Sequence, residues 1–270
     1  MQNAKKIRRR QIKIMTLNQQ KIKNETDTAI SIHDADIINN TFHMKDISLN
    51  IRKGFVTAVT GRNSSGKTTL IEAMAGMHGI TKGEIHIEGY SLTEQPNKAK
   101  ENIGFIFHKC PFGEQFSAKD CMNMYGRFYK GFNKEKFTDL CREMNVEMLK
   151  AIRKMSKGQA VKLQLAFALA HNSRILLFDD AMEGLDPVFR IEVKKMLSDI
   201  MTDGQHTVVI STKLPEDLEG IADYVVTLRD GRVESEKDIE ELMEQGGIKE
   251  YFKGMEEKST AGDIEGGGKE

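Results

Sequence analysis

The chain has 270 residues, with 40 basic and 40 acidic side chains and a formal net charge of zero. That length holds one large domain, or one domain with a smaller lobe, and the balanced charge leaves no overall field to draw in nucleic acid or an anionic membrane. Three cysteines without C-x-x-C spacing fit reduced thiols better than disulfides or zinc, and no stretch approaches the roughly 18 consecutive apolar residues of a membrane span.

Residues 1–28 are polar and basic, with Lys5, Lys6, Arg8, Arg9, Arg10 and Lys13 near the start. Polar residues interrupt what would be the apolar part of a secretory signal, so the segment reads as a solvated extension, the alternative being a weak contact with anionic lipid headgroups. Residues 29–33, 45–51 and 83–89 alternate apolar and polar side chains with period two, which predicts an antiparallel layer. Residues 55–60 are short, apolar and β-branched, the pattern of a buried parallel strand. They run into Gly61, Arg62, Asn63, Ser64, Ser65, Gly66, Lys67, Thr68 and Thr69, which satisfy the G-x-x-x-x-G-K-[ST] phosphate-binding pattern. Residues 70–75 then continue as a helix. A loop so placed offers unpaired backbone N–H groups and the positive end of the helix dipole to a nucleotide, and glycine lets the backbone approach closely. The pattern assigns Lys67 to the β and γ phosphates and the Thr68 hydroxyl to Mg²⁺.

Residues 103–107 predict a further core strand, followed by an irregular turn at 108–111. Residues 116–157 change to helical spacing, with Met122, Tyr125, Phe128, Tyr129, Phe137, Leu140, Met144 and Leu149 as the apolar positions of a helical insert. Arg127 and Lys130 among the aromatics suggest base stacking, but spacing of three and four favours a buried helical face. Residues 174–178 form an uninterrupted apolar strand ending in Asp179 and Asp180. In open α/β sheets the ligand lies beyond the carboxyl ends of the strands, so a carboxylate there can hold Mg²⁺ directly or through water. Asp186 and Pro187 start another helix through Val188, Ile191, Val193, Met196, Leu197 and Ile200. Residues 206–212 form a last buried strand, and residues 224–228 with Asp230 and Gly231 a closing hairpin. Beyond residue 252 the composition is that of a disordered tail.

This order suits several phosphate-loop ATPases. Met155, Ser156, Lys157, Gly158 and Gln159 resemble the Leu-Ser-Gly-Gly-Gln signature of the ATP-binding cassette (ABC) ATPases, with Lys157 in place of the first glycine. Gly184, Leu185, Asp186 and Pro187 resemble the D-loop, and Ile210, Ser211 and Thr212 the switch strand. The resemblance covers about residues 29–243. Residues 156–158, 163–172 and 184–190 are similar to a bacterial group of ABC-2-type exporter ATPases, which pair with separate membrane subunits.

The resemblance implies an α/β P-loop NTPase fold of ABC ATPase type, with a mixed sheet core, an antiparallel β layer and a helical subdomain at about 113–158. The ATPase domain would span 29–252, between the extension (1–28) and the tail (253–270). It also implies a head-to-tail homo- or heterodimer around two ATP–Mg²⁺. Each site would join residues 61–69 and Asp179 of one subunit to Ser156, Gly158 and Gln159 of the other, with Lys157 and Asp186 also among the nucleotide-binding residues. A membrane-spanning subunit at the cytoplasmic face of the cell membrane would receive the motion through the insert and the His108 turn.

Besides Lys157, four departures from the family pattern fall on the chemistry. Asp180 replaces the water-polarising glutamate and is one methylene shorter, where a displacement of about 1 Å costs on the order of a hundredfold in rate. Lys213 stands for the switch histidine, and His108 for a glutamine. The adenine-stacking position falls on Ile38, with the Phe42 ring nearby. Asp180, Lys213 and His108 are therefore the expected catalytic set of a hydrolysing exporter subunit. The alternative is a hydrolysis-impaired regulatory subunit. A soluble ABC ATPase of translation or DNA repair usually has two cassettes or a long coiled coil, and neither fits here.

Overall fold

The computed structural model describes residues 27–39, 42–244, 246–248 and 250–254. The expected basic extension and polar tail, apart from residues 27, 28, 253 and 254, lie outside the described residues. Strands β1 (Thr28–Asn39) and β2 (Phe42–Arg52) precede the core strand β3 (Val56–Gly61) and its helix α1 (Lys67–Met74). Strands β4 (Gly79–Ile87) and β5 (Tyr90–Ser91) then complete an antiparallel sheet in the order β2-β1-β4-β5. Period-two alternation works as expected: Met44, Ile47, Leu49 and Ile51 of β2 are buried and most of their neighbours are exposed. β4 starts four residues before the predicted strand because Gly83, at φ 73°, carries it past a register shift against β1. A Cβ there would lie 2.3 Å from the His33 carbonyl oxygen, so only glycine fits without displacing backbone.

The second sheet receives β6 (Ile103–Phe107), β7 (Ile175–Asp179), β8 (Thr207–Ser211), β9 (Tyr224–Arg229) and β10 (Arg232–Asp238). Its order is β10-β9-β3-β8-β7-β6. All neighbours run parallel except β10, antiparallel to β9 through a turn at Asp230 and Gly231, both at positive φ. Every residue of β3, β7 and β8 is buried, which is why their sequences are continuous apolar runs rather than alternating ones. The expected mixed core with an antiparallel layer is the observed architecture.

Between the sheets, Leu70, Ile71 and Met74 of α1 pack with the β1 and β2 isoleucines and with Val59, Leu177 and Val209. After the short helix α2 (Pro96–Glu101), the insert contributes α3 (Ala118–Tyr125) and α4 (Lys134–Glu143), and the chain returns through α5 (Lys157–Ala170) and α6 (Pro187–Ile200). α5 is apolar nearly all round because it joins two cores. Val161, Leu165 and Leu169 pack with the sheet and α6, whereas Leu163, Ala166, Phe167 and Ala170 pack with the insert. The predicted apolar face of the insert needs correcting at two positions. Phe128 is 71% exposed and Leu149 77%. The helical period stops before each: Phe128 sits in the 3₁₀ turn Gly126–Phe128 after α3, and Leu149 in the loop after α4. Val188 and Ile191 of α6 are exposed too, leaving Val193 and Leu197 as its fully buried residues. Cys121 and Cys141 are buried in the insert core, where burial pushes both thiols up to about 12 and keeps them unreactive.

Candidate nucleotide site

The parallel register determines what meets what. Asp179 pairs with Ser211 and Ser211 with Val59, so the carboxyl ends of β7, β8 and β3 lie side by side where the loop begins. Gly61 has φ 147°, and a Cβ on it would lie 2.4 Å from the Leu228 carbonyl oxygen. Gly66 has φ 105° and caps α1 with no side-chain hydrogen bond, leaving the first-turn N–H groups without a side-chain acceptor. Lys67 folds back over the loop and donates to the Gly61 and Arg62 carbonyl oxygens at 2.9 and 2.8 Å. Burial lowers its pKa, opposed chiefly by Asp180. Ser65 Oγ is buried without a hydrogen-bond partner. Arg62, Asn63 and Ser64 are exposed at the rim, while Thr69 is buried.

Asp179 accepts Ser211 Oγ at 2.8 Å and Thr68 Oγ1 at 3.1 Å. Burial pushes its carboxyl above the ordinary value, with Ser211 and Thr68 acting in the opposite direction. Ser211 Oγ also receives the Asp180 N–H at 2.9 Å, so one hydroxyl aligns both aspartates. Asp180 has φ 42°, and burial raises its pKa against the lowering influence of Lys67. Around it, His108 Nδ1 lies 3.1 Å from the Asp180 carbonyl oxygen, and Lys213 Nζ donates to Glu183 Oε1 at 2.6 Å.

The signature residues are organised differently from the loop. Ser156 caps α5 and exchanges hydrogen bonds with Gln159 in a capping box, and Lys150 also reaches Gln159 Oε1 at 3.3 Å. Gly158 gives α6 its closest approach, since a Cβ there would lie 2.6 Å from the Phe189 ring. Lys157 instead turns toward His108 and the Glu183 carbonyl. Asp186 caps α6 by accepting the Phe189 N–H at 3.0 Å. The Phe42 ring borders the loop, 3.0 Å from where a Gly66 Cβ would be, and half-buried Ile38 is a ladder residue of β1 paired with His43.

Sequence reasoning missed three groups. Gln164, buried in α5, accepts the Phe107 N–H at 2.9 Å and fixes the end of β6 just before His108. Asp217, 1% exposed, accepts Thr212 Oγ1 at 2.7 Å and Arg190 at 3.1 Å, anchoring the residue before Lys213. Glu183 is the third. A buried glutamine inside an apolar helix was the one signal available for Gln164; the two acids carried none.

A glycine-bounded loop between the buried parallel strand β3 and an uncapped helix, facing adjacent aspartates at the end of β7, two strands away in the sheet, defines a phosphate-loop nucleotide-binding ATPase. Residues 44–183 match the ABC transporter family, about half of the chain. The chain is 29% identical over 208 residues to the ABC transporter ATP-binding protein NatA of Bacillus subtilis (strain 168), covering 74% of this chain and 84% of that one. It is also 31% identical over 203 residues to the energy-coupling factor transporter ATP-binding protein EcfA2 of Lactococcus lactis subsp. lactis (strain IL1403), covering 70% and 69%. Among solved structures, an ATP-binding subunit of an ABC transporter superposes with TM-score 0.75 at 20% identity, covering 84% and 99%. A dimeric ATP-binding cassette bound to ADP and Pi superposes with TM-score 0.69 at 22% identity, covering 77% and 98%. The chain belongs to the ABC transporter family as an ATP-binding ATPase subunit. No helix among the described residues is long and apolar enough to cross a membrane.

Proposed function

We propose that the chain is the ATP-hydrolysing subunit of a bacterial exporter, pairing with a second ATPase subunit around two ATP molecules and driving a separate membrane-spanning subunit from its cytoplasmic face. The supporting observation is the convergence of Lys67, Thr68, Asp179 and Asp180 at the carboxyl edge of three buried strands. In this reading residues 29–252 form the ATPase domain, with residues 113–158 as its helical lobe. The dimeric form of the related cassette and the exporter-like motifs support pairing and direction.

The loop fits a polyphosphate. Its helix N-terminus is uncapped, its lysine occupies loop carbonyls, and Ser65 Oγ is an orphaned buried donor. The Thr68 hydroxyl and Asp179 carboxylate, 3.1 Å apart, are an oxygen pair suited to Mg²⁺. Among the described residues no cluster of three or more His, Cys, Asp or Glu could hold a metal, so phosphate oxygens and water would supply the other ligands. Bound there, Mg²⁺ would neutralise charge on the β and γ phosphates. Lys67 would transfer its hydrogen bonds from the loop carbonyls to those phosphates. Asp180 orients a water and takes its proton as the oxygen bonds to the γ-phosphorus; the bond to the bridging β-oxygen breaks, giving ADP and phosphate. Ser156, Gly158 and Gln159, with Lys157 and Asp186, would complete the partner's site, and Phe42 would lie beside the adenine. His108 Nδ1 lies 3.1 Å from the Asp180 carbonyl oxygen, and Lys213 is a second cation beside Asp180.

Steady-state phosphate release by the purified chain, with Lys67→Ala as the blank, tests the proposal. Release above the blank is expected. A rate equal to it favours the regulatory reading, which has one observation in its favour: the Lys213 ammonium is engaged by Glu183 rather than free for a phosphate.

A further inference from the structure

Three positions at which the chain departs from the family pattern come from separate elements. His108 follows β6, Lys157 opens α5, and Lys213 follows β8. All three meet at Glu183, in the turn between β7 and α6. The Glu183 carboxylate accepts Lys213 Nζ at 2.6 Å and lies 4.0 Å from His108 Nδ1. Its backbone carbonyl accepts Lys157 Nζ. The same ammonium is 3.1 Å from His108 Nδ1, and that ring nitrogen is 3.1 Å from the Asp180 carbonyl oxygen.

Charge explains why such a residue is needed. Lys213 and Lys67 are both cations near Asp180, and Lys213 disfavours the charged form of Lys67. Unopposed, a long lysine side chain with many rotamers would leave for solvent, away from the other ammonium. Lys157 has the same difficulty, because a cation in the first turn of a helix faces the positive end of the dipole. Glu183 supplies an anion to the first and a carbonyl to the second. The side chains of both carboxylate pairs are 40–48% exposed, and exposed ion pairs add little to stability. The consequence of the cluster is therefore the location of Lys213, not the stability of the fold.

We propose that Glu183 is a positioning residue of this ATPase: its carboxylate holds Lys213 beside Asp180, and its backbone holds Lys157 against His108, joining the start of α5 to the reaction side of the sheet. The proposal rests on the hydrolytic reading of the site given above.

Steady-state phosphate release is measured on the full chain for Glu183→Gln, Glu183→Asp, Lys213→Met and the Glu183→Gln/Lys213→Met double variant. Glu183→Gln lowers kcat by about ten- to a hundredfold, with KM for ATP within about twofold and an unchanged thermal midpoint. Glu183→Asp recovers part of the rate, and the double variant is no slower than the slower single variant, because both changes remove one interaction. NMR titration of the Lys213 side chain needs no turnover: in Glu183→Gln the ammonium titrates at lower pH than in the wild type. A wild-type kcat in Glu183→Gln, or losses that multiply in the double variant, overturns the proposal. If wild-type turnover equals the Lys67→Ala blank, the hydrolytic reading fails instead; an unmoved Lys213 titration then overturns the Glu183 contact separately.

Discussion

The phosphate loop and the cluster around Glu183 occupy the same carboxyl edge of the six-stranded sheet but are built from different materials. In the loop, backbone geometry sets the chemistry: Gly61 and Gly66 at positive φ, an uncapped helix start, and a lysine bonded to loop carbonyls. The cluster depends on four long or charged side chains from four separate segments, all at least partly exposed. A backbone cradle tolerates changes in its exposed rim residues but not at its glycines. The side-chain cluster has the opposite sensitivity, since its long side chains help to place one another. In the proposed function, binding of the phosphates would reside in the first kind of structure and control of hydrolysis in the second.

The largest expected effect comes from breaking the backbone half. Gly61→Ala sets a Cβ 2.4 Å from the Leu228 carbonyl oxygen and 2.6 Å from Ser65 Oγ at a φ of 147°. We predict a loss of about 1–3 kcal/mol of stability with loss of ATP binding, read by denaturant unfolding and calorimetry. Wild-type affinity in that variant would remove the loop from the account. A smaller effect of opposite sign is predicted for Asp179→Asn. The folded-state pKa of Asp179 is raised by burial, so its ionised form costs stability once the pH passes the unfolded-state value. Asparagine keeps an acceptor for Ser211 and Thr68 without the charge. Without nucleotide at pH 7 it should stabilise the chain by about 1 kcal/mol, about 2–4 °C in a domain of this size, and the gain should vanish as the pH falls below that value. The variant should also lose the Mg²⁺-dependent part of ATP binding. A lower melting temperature at pH 7 would show that the carboxylate is stabilising where it lies.

The same contrast explains what was legible in the sequence. Strand β3, the loop and α1 follow local rules, so their order and the glycine positions could be read from residue types alone. The Asp179 strand was equally legible, because a continuous apolar run ending in carboxylates has few other readings in an α/β chain. His108, Lys157 and Lys213 were visible only as separate departures from a pattern. That they converge on Glu183 follows from the β6-β7-β8 register and from α5 passing between two cores, and neither is encoded locally. Phe128 and Leu149 were misread for a related reason. Helical spacing continues in the sequence where the chain has already left the helix.

The proposed division of labour, in which the loop binds ATP and Asp180 carries hydrolysis, is open to direct measurement. Its most direct test compares Asp180→Asn with the wild type, measuring ATP affinity by calorimetry and phosphate release at saturating ATP and Mg²⁺. Wild-type release should rise with pH as the Asp180 carboxylate ionises, and that limb should lie above the ordinary carboxylate value because burial raises the group. Asp180→Asn should bind ATP within about threefold of the wild type, yet release phosphate at the Lys67→Ala rate, a loss on the order of a hundredfold or more. Wild-type turnover in Asp180→Asn, with the pH limb retained, would contradict the account and assign water activation to another residue.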